Sequence, residues 1–332
     1  MTGPSAASPT LSRWDRVWLW AGALNVGFLI AVAFSLDAIA DRPGLFRGVW
    51  FLPGAVWLIP TALLLVASLI RRRPKPILIH TAMLAVGLFV VGDLRLNPRF
   101  WSGAGDFRVM AWNVANAPQG WEPVEALIVR QNPDVLVLIE VYSTPEFEAM
   151  VQRLGYHRSE GVSANVVLSR EPIAETRLIE FEDRDGVVGG VISSLTIRGR
   201  DATVASLHFS SFKADLERLG LPLAESLELT HNKHIMQAAT VIANLTDVRG
   251  PMILAGDLNM PPRGTAYRML AEAFVDAFAA AGTGFGYTYA GGIPWVRIDY
   301  ILSRGFSTVR AFVPRGTTSD HHPVVADFRF QN

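Results

Sequence analysis

Residues 251–262 read Pro-Met-Ile-Leu-Ala-Gly-Asp-Leu-Asn-Met-Pro-Pro, and this stretch decides the fold of the 332-residue chain. The apolar run Met252 to Ala255 predicts a short buried strand that stops at Gly256. Asp257 and Asn259 follow, and side chains two residues apart on extended chain point in the same direction. Open α/β sheets bind their ligands at the carboxyl ends of strands. The stretch therefore predicts a polar site at a strand end, although the same residues alone are also typical of an ordinary turn.

From Phe107 onward, apolar strand patterns alternate with amphipathic helix patterns, which is typical of an α/β domain. The predicted strands are Phe107–Trp112, Asp134–Leu138, Asn165–Ser169, Thr176–Glu182, Val187–Ile197, Thr203–His208, Met252–Ala255, Trp295–Leu302, Phe306–Val313 and Val324–Phe330. The predicted helices are Val124–Arg130, Phe147–Leu154, Leu223–Leu245 and Ala266–Phe278.

Several of these strand ends carry side chains that can bind a metal ion or a phosphate group. They are Asn113, Glu140, His208, Asp257 with Asn259, and Asp320 with His321, while Asp299 lies on a further strand. Singly, most of them are equally typical of a turn or of a solvated strand end. The sequence Asp-His-His-Pro at 320–323 is uncommon as surface decoration and favours a functional site.

The bulk composition excludes several classes of site. The chain has 30 Lys and Arg against 30 Asp and Glu, a pI near 7.1 and no cysteine. A zero net charge gives no long-range attraction for nucleic acid or another polyanion. The absence of cysteine excludes disulfides, thiolate metal sites and cysteine nucleophiles. The mean hydropathy of +0.27 is higher than a soluble enzyme usually has, so part of the chain is expected to lie outside a soluble core.

The first hundred residues contain three apolar runs, Val17–Leu36, Val49–Ile70 and Ile77–Val91. About twenty apolar residues are enough to cross a bilayer core as a helix. None of the three runs has the polar face that a helix of a soluble domain shows at helical spacing. They predict a membrane region with about three transmembrane helices in residues 1–92, of which the third is shorter and contains His80.

Basic residues in the short connections predict the orientation, because cytoplasmic loops are enriched in Lys and Arg. Two arginines precede the first run, and Arg71 to Lys75 separate the second from the third. These flanks are therefore expected in the cytoplasm, and three crossings place everything after Gly92 outside it. The chain is thus predicted to be a multi-pass protein of the cell membrane with an extracytoplasmic catalytic domain. A competing interpretation takes Val17–Leu36 as a cleaved signal peptide, since Ala-Ile-Ala at 38–40 has the form of a cleavage site.

Residues 93–106 include Pro98, Gly103 and Gly105 and predict a short linker. A second domain, residues 107–332, follows it. Because the linker is short, it is expected to hold this domain close to the membrane surface.

The motifs of the second domain resemble, in order and spacing, the endonuclease/exonuclease/phosphatase superfamily, the DNase-I-like enzymes that include sphingomyelinases and inositol phosphatases. The resembling segments are Val109–Asn113, Pro133–Glu140, Asn165–Ser169 with Arg170 and Pro172, Ser206–His208, Gly256–Asn259, Arg297–Leu302, and Ser319–His321 with Pro323. The resemblance covers roughly Phe107 to Phe330. It implies an α/β fold in four layers, in which two packed mixed β-sheets are flanked by helices.

The resemblance also implies a divalent metal ion, Mg²⁺ or Mn²⁺. Glu140 would be its principal ligand, with Asn113 and Asp320 beside it. Oxygen ligands of this kind suit a hard cation. The chain departs from the family pattern directly before the glutamate, where Ile139 stands in place of the usual glutamine. One hydrogen bond that supports the ligand is therefore expected to be missing.

The remaining polar strand ends are assigned to catalysis by the same resemblance. Asp257 would position or deprotonate the attacking water, and Asn259 and His208 would hydrogen-bond the phosphoryl oxygens. His321, oriented by Asp299, would stabilise the charge that develops in the transition state. These roles agree with the needs of in-line attack on a phosphoester, which are a metal ion, a water-orienting carboxylate and cationic donors.

The predicted function is a membrane-anchored, metal-dependent phosphoesterase that hydrolyses a phosphate ester or pyrophosphate outside the cytoplasm. A lipid-linked substrate ranks first, because the short linker holds the site near the bilayer. Nucleic acid is not favoured, since Lys213 and Lys233 are the only lysines in the sequence from residue 107 onward and backbone binding depends on clustered Lys and Arg. The alternatives are an extracytoplasmic nuclease and, from another class, an inactive binding or scaffold domain. The sequence does not indicate the oligomeric state.

Overall fold

The computed structural model describes residues 12–43, 48–49, 51–97, 105–160, 164–183, 186–187, 189–291, 295–315 and 318–331. The chain divides into two compact units. The first unit comprises Met1–Leu36 and Pro53–Asp93, and the second comprises Asp37–Leu52 and Leu94–Asn332. The connection between the first two apolar runs, together with the first residues of the second run, therefore belongs to the same unit as the C-terminal part of the chain.

The first unit is helical. It contains α1 (Arg13–Ala40, whose last residues follow the unit boundary), a 3₁₀ turn (Gly54–Leu58), α2 (Ile59–Ile70) and α3 (Pro74–Val90). Within the described residues, one helical stretch, Arg13–Leu36, has the length and apolar composition needed to cross a membrane. Gly54–Ile70 and Pro74–Val90 are apolar but shorter. The buried Asn25 Nδ2 donates a hydrogen bond of 2.9 Å to Thr61 Oγ1, which ties α1 to α2.

The second unit alternates strands and helices. Its strands are β1 (Phe107–Asn113), β2 (Val135–Ile139), β3 (His157–Arg158), β4 (Val166–Ser169), β5 (Ile173–Ile179), β6 (Glu182–Asp183), β7 (Gly186–Val187), β8 (Gly190–Ile197), β9 (Arg200–His208), β10 (Met252–Asp257), β11 (Val275–Asp276), β12 (Asp299–Arg304), β13 (Phe306–Phe312) and β14 (Val324–Phe330). Its helices are α4 (Trp121–Gln131), α5 (Pro145–Leu154), α6 (Phe212–Leu219), α7 (Leu223–Leu245), α8 (Gly264–Ala273) and α9 (Ala277–Ala281).

Two six-stranded sheets form the centre of this unit. The first has the order β13-β14-β1-β2-β4-β3, and the second has the order β11-β12-β10-β9-β8-β5. Both are mixed, because β1 runs parallel to β2 but antiparallel to β14, and β10 runs parallel to β9 but antiparallel to β12. In each sheet the parallel pair lies at the centre, so two strand carboxyl ends emerge side by side.

Alternation along each strand builds the four layers. On β1, Val109 and Ala111 belong to an apolar cluster shared by the two sheets, whereas Met110 and Trp112 pack in a cluster with α4 and α5. The outer face of the second sheet packs against α7 and α8 through residues such as Leu254 and Leu207. Two mixed sheets flanked by helices are the four-layer α/β sandwich predicted from the sequence, and that prediction is confirmed.

Some element bounds differ from the predicted ones. The single helix predicted at Ala266–Phe278 is divided into α8, the short strand β11 and α9. Asp276 causes the division, because its Oδ1 accepts hydrogen bonds from Phe278 N at 2.9 Å and Ala279 N at 3.0 Å and so caps a new helix. The strand predicted to begin at Trp295 begins at Asp299.

Candidate active site

The register of the second sheet brings three predicted site residues together. Asp257, the last residue of β10, pairs with His208 of β9 on one side and with Asp299 of β12 on the other. Gly256 precedes Asp257 at φ +147°, and a Cβ at this position would lie 1.9 Å from the carbonyl oxygen of Leu207. Only glycine fits this close approach of β10 to β9. The glycine of the Gly-Asp pair is therefore required by the packing that sets Asp257 beside His208.

Asn113 links the two sheets at the site. Its Nδ2 donates to Glu140 Oε1 at 2.9 Å and lies 3.1 Å from Asp257 Oδ2, while its Oδ1 accepts from Ala115 N at 3.0 Å. Asn113 pairs with Ile139 in the β1–β2 register, which brings the next residue, Glu140, within reach of this amide. The two carboxylates thus each direct one oxygen at the same amide group.

Unusual backbone conformations occur at the strand ends that carry these groups. Glu140 has φ +57° and Asn259 has φ +49°, values that residues other than glycine seldom adopt. Hydrogen bonds hold both: Asn116 N donates to Glu140 O at 2.7 Å, and Asn259 N donates to Asp257 Oδ1 at 2.8 Å. Strained conformations that the surrounding structure maintains are concentrated at functional sites, so this pair supports a site here.

His321 is held firmly beside Asp257. Its Nδ1 lies 2.9 Å from Asp299 Oδ2, its backbone carbonyl accepts from Trp112 Nε1 at 2.9 Å, and the Tyr289 ring packs edge-on at 5.0 Å between centroids. Its Nε2 lies 3.7 Å from Asp257 Oδ2. Asp257, Asp299 and His321 are all buried, and one ligand atom of each lies within 4.8 Å of the others.

The charged side chains of Asp257, Asp299 and His321 change one another's pKa values. Burial would lower the pKa of His321, but the carboxylates of Asp299 and Asp257 outweigh it and raise that pKa to about 10. Burial, together with the like charge of Asp299, raises the pKa of Asp257 to about 7. Burial lowers the pKa of His208 despite the nearby Glu140. Above pH 7 the site therefore contains an ionised Asp257 facing a cationic His321, with a neutral His208 beside them.

The other predicted residues surround this centre. His208 Nε2 lies 3.7 Å from Glu140 Oε1 and 4.0 Å from Asp257 Oδ2. Asn259 Nδ2 donates to the carbonyl oxygen of Phe209 at 2.9 Å. Asp320 is exposed. The structure thus gathers all eight residues selected from the sequence at one edge of the two sheets.

A cleft of about 430 Å³ opens onto these groups. Six of the eight residues line it, namely Glu140, His208, Asp257, Asn259, Asp320 and His321, whereas Asn113 and Asp299 are buried beneath. Phe51 and Phe212 also line the cleft and were not among the predicted site residues. No local pattern identifies Phe51 as a cleft residue, because it lies within the apolar run Val49–Ile70, which predicts a membrane segment. A second cavity of about 330 Å³, near Leu245 and Phe274, contains none of the eight.

The donor set fits a hard divalent cation. Glu140 and Asp257 both line the cleft and converge on one amide, which brings their carboxylate oxygens close together. Asp320 adds an exposed carboxylate on the lining. No cysteine competes, so the available ligands are oxygen and imidazole, the kind that Mg²⁺ and Mn²⁺ accept.

This fold and this constellation define a phosphoester hydrolase of the DNase-I-like type. The model of the Endonuclease/Exonuclease/phosphatase family matches residues 110–321. The chain belongs to this family, whose enzymes are divalent-metal-dependent hydrolases acting on phosphoester bonds.

Individual proteins are more distantly similar. A UPF0294 protein of Vibrio cholerae is 20% identical over 244 residues, which cover 69% of this chain and 79% of that protein. The endonuclease/exonuclease/phosphatase of Beutenbergia cavernae superposes with a TM-score of 0.53 at 22% identity and covers 68% of this chain and 72% of its own. Sphingomyelinase C of Streptomyces griseocarneus superposes with a TM-score of 0.52 at 20% identity, and the superposition covers 67% of this chain and 98% of the sphingomyelinase. The two structures show that the fold is shared.

Proposed function

We propose that the protein is a membrane-anchored phosphoesterase in which Asp257 directs water at a phosphate ester or pyrophosphate. One observation carries this proposal. The buried Asp257 carboxylate lies 3.7 Å from the cationic His321 ring and 3.1 Å from the Asn113 amide that also binds Glu140. A base, a cationic donor and a set of oxygen ligands thus meet at one point of the cleft. These are the three elements that hydrolysis of a phosphoester needs.

Asp257 acts as the base. Its pKa of about 7 leaves the carboxylate ionised at neutral to alkaline pH yet basic enough to take a proton from water. Its Oδ1 accepts from Asn259 N at 2.8 Å and its Oδ2 accepts from Asn113 Nδ2 at 3.1 Å. Oδ2, which also faces His321 Nε2, receives the proton of water through its second lone pair.

His321 supplies positive charge to the phosphoryl oxygens. With its Nδ1–H donated to Asp299 Oδ2, the imidazolium presents Nε2–H beside Asp257. Asp299 thus both fixes the ring and raises its pKa, so the donor is charged before substrate arrives. His208 adds a neutral ring N–H, and the Asn259 amide adds the N–H that is not donated to Phe209.

Glu140, Asn113 and Asp320 would hold the metal ion, and Mg²⁺ or Mn²⁺ suits their oxygen atoms. When bound, such an ion neutralises charge on the phosphoryl oxygens. Asn113 would present its Oδ1, which already accepts a hydrogen bond from Ala115 N. Glu140 would present the oxygen that now accepts from Asn113.

Metal-dependent turnover tests the proposal directly. The full chain in detergent or nanodiscs is expected to hydrolyse bis(p-nitrophenyl) phosphate with Mg²⁺ or Mn²⁺ and to lose this activity with EDTA. Glu140→Gln is expected to raise the metal concentration for half-maximal activity by at least about tenfold, since even supporting residues of a metal site contribute that much. Glu272→Gln, an exposed change on α8, serves as the matched control. Turnover that is unaffected by EDTA would refute the metal site.

Membrane anchoring through α1, and through Gly54–Ile70 and Pro74–Val90 as two further crossings, belongs to the same proposal. Contacts inside the first unit support it. Arg73 Nη1 lies 3.3 Å from Asp15 Oδ1, and the Arg71 guanidinium lies 5.7 Å from the centre of the Trp14 ring. The start of α1 and the α2–α3 turn are therefore at the same end of the unit. Basic residues collect at this end, which favours its placement in the cytoplasm.

The connection between the first two apolar runs supports the outward placement of the catalytic unit. Asp41 Oδ1 accepts from Thr265 N at 2.9 Å, and Asp41 Oδ2 accepts from Arg268 Nη2 at 2.6 Å. Segments that contact each other in one compact unit must lie on the same side of a membrane. If α1 crosses outward, the connection that follows it and the catalytic unit are both outside. The chain between them must then cross the membrane an even number of times, which gives three crossings in total and not two.

Cysteine labelling tests this topology, because the native chain contains no cysteine. Asp201→Cys, on the exposed start of β9, is expected to react with a membrane-impermeant maleimide on intact cells. Lys75→Cys, at the exposed start of α3, is expected to react only after the cells are permeabilised. The reverse pattern would place the catalytic unit in the cytoplasm. Labelling of both positions on intact cells would exclude the crossing at Pro74–Val90 that separates them.

A lipid-linked phosphate is the favoured substrate. Among its lining residues the cleft has a single lysine, Lys213, beside the carboxylates of Glu140, Glu217, Asp257 and Asp320, while the Asp215 carboxylate is paired with Lys233 Nζ at 2.8 Å. These lining residues do not include the clustered Lys and Arg that normally bind a polyanionic backbone. A panel of polyprenyl pyrophosphate, phospholipids, RNA and plasmid DNA discriminates between the substrates. Rapid degradation of plasmid would instead identify a nuclease.

A further inference from the structure

Two aromatic rings in contact with each other form an apolar part of the active-site cleft. Phe51 and Phe212 both line the cleft, and we call this pair the apolar wall. The rings of Phe51 and Phe212 lie 4.9 Å apart between centroids with their planes inclined at 46°. Phe51 is held in place by an apolar cluster that includes Leu227, and only 7% of its surface is exposed. The wall is therefore a built surface, and no group that acts on phosphate belongs to it.

The segment after β9 connects the apolar wall to the catalytic residues. His208 ends β9, and Phe212 begins α6 four residues later. Between them, Ser210 is fixed by α7: Gln237 Oε1 accepts from Ser210 N at 3.1 Å, and Gln237 Nε2 donates to Ser210 Oγ at 2.8 Å. A substrate whose phosphate contacts His208 would extend its next atoms along this segment, toward Phe212 and Phe51.

Phe51 comes from an unusual part of the chain. It lies in Asp37–Leu52, the N-terminal segment that belongs to the second unit, and one residue separates it from Pro53, where the first unit resumes. Phe51 is thus supplied to the cleft by a segment that is joined at both ends, along the chain, to the apolar helices.

We infer that the apolar wall binds the hydrocarbon chain of a lipid phosphate ester and that Phe51 is a specificity-determining residue; this inference rests on the phosphoesterase function proposed above. The acidic lining and the apolar wall select together for a substrate with few charges and a long apolar part. Each methylene group that the wall removes from water is expected to raise kcat/KM about threefold to fourfold, the factor that corresponds to its transfer free energy.

Two chromogenic esters test the inference, p-nitrophenyl methyl phosphate and p-nitrophenyl octyl phosphate, with the full chain in nanodiscs and Mg²⁺. The measured quantity is the ratio of kcat/KM for the octyl ester to that for the methyl ester. The wild type is expected to show a ratio of at least about 10, and Phe51→Ala is expected to reduce it at least about threefold. Partitioning of the octyl ester into the bilayer is equal for all variants and cancels in this comparison.

Phe274→Ala is the matched control, because Phe274 belongs to the same apolar cluster as Phe51 but does not line the cleft. It is expected to leave the ratio unchanged. If Phe51→Ala does not fold, Phe212→Ala replaces it, and inhibition by octyl phosphate relative to methyl phosphate supplies the same ratio. A ratio that is equal in wild type, Phe51→Ala and Phe212→Ala would overturn the inference while hydrolysis of both esters upheld the phosphoesterase. Hydrolysis of neither ester would overturn both.

Discussion

Replacement of Asp257 by asparagine is expected to lower kcat by about 10³-fold, within the range of 10²- to 10⁴-fold that a general base contributes. Asparagine has the same shape but cannot accept a proton from water. Asp257 is 1% exposed and receives hydrogen bonds on both oxygens, so no other carboxylate can take its position without moving the strand. The measurement is kcat for bis(p-nitrophenyl) phosphate at pH 8 with saturating Mg²⁺.

The stability of the same variant distinguishes a catalytic role from a structural one. The folded-state pKa of Asp257, about 7, is above the ordinary value of 3.8, so the folded chain holds more protons than the unfolded chain between these values. Stability contributed by this group is therefore lost as pH rises from about 4 to about 7. The asparagine side chain of the variant cannot ionise and avoids this loss. In the presence of a chelator at pH 8, Asp257→Asn is expected to melt no lower than the wild type. A lower Tm together with near-normal kcat would show that Asp257 is structural.

The fold was predictable because local patterns and the family motifs agree. Continuous apolar strands such as Val135–Ile139 are buried on both faces, and the sequence shows them as unbroken apolar runs. Element bounds were less predictable where a side chain competes with the pattern. The apolar character of residues 266–278 continues past Ala273, but Asp276 caps a new helix and pairs in a strand with β12, which only the neighbouring strand could reveal.

In the candidate site, too, some features could be predicted from the sequence and others depend on tertiary contacts. Strand ends of one sheet meet, so Asp257, Asp299 and His208 could be grouped from order and motif, and the register confirms that they are neighbours. The amide of Asn113 could not be anticipated as a bridge between Glu140 and Asp257, because this contact joins two sheets. The roles assigned to these residues stay predictions until the variants are measured.

Phe51 was beyond sequence reasoning for a physical reason. Phe51 precedes His208 by 157 positions in the chain. The two residues reach one cleft only because the segment Asp37–Leu52 packs on the second sheet. No periodicity extends across such a separation. The apolar pattern of residues 49–70 predicts a membrane segment, whereas its first residues belong to the catalytic unit. The boundary between the two units therefore lies inside an apolar run, where composition does not change.

Replacement of His321 is expected to change both the size of kcat/KM and its dependence on pH. In the wild type, kcat/KM with Mg²⁺ is expected to rise with pH through about 7, as Asp257 ionises, and to fall above about 10, as His321 loses its proton. His321→Gln is expected to lower kcat/KM at pH 8 by about 10²- to 10³-fold, the cost of losing one preorganised donor. It should also abolish the alkaline fall. Because the positive charge of His321 lowers the pKa of Asp257, its removal should shift the acid limb above 7.

Asp299→Asn checks the origin of both limbs without removing either titrating group. Asp299 raises the pKa of His321 and also the pKa of Asp257, so its neutral replacement should shift the alkaline and the acid limbs to lower pH. Glu272→Gln, on an exposed face of α8, should shift neither limb. The two variants thus move the acid limb in opposite directions, upward for His321→Gln and downward for Asp299→Asn. An alkaline fall that survives in His321→Gln would assign that limb to another group and refute the cationic role of His321.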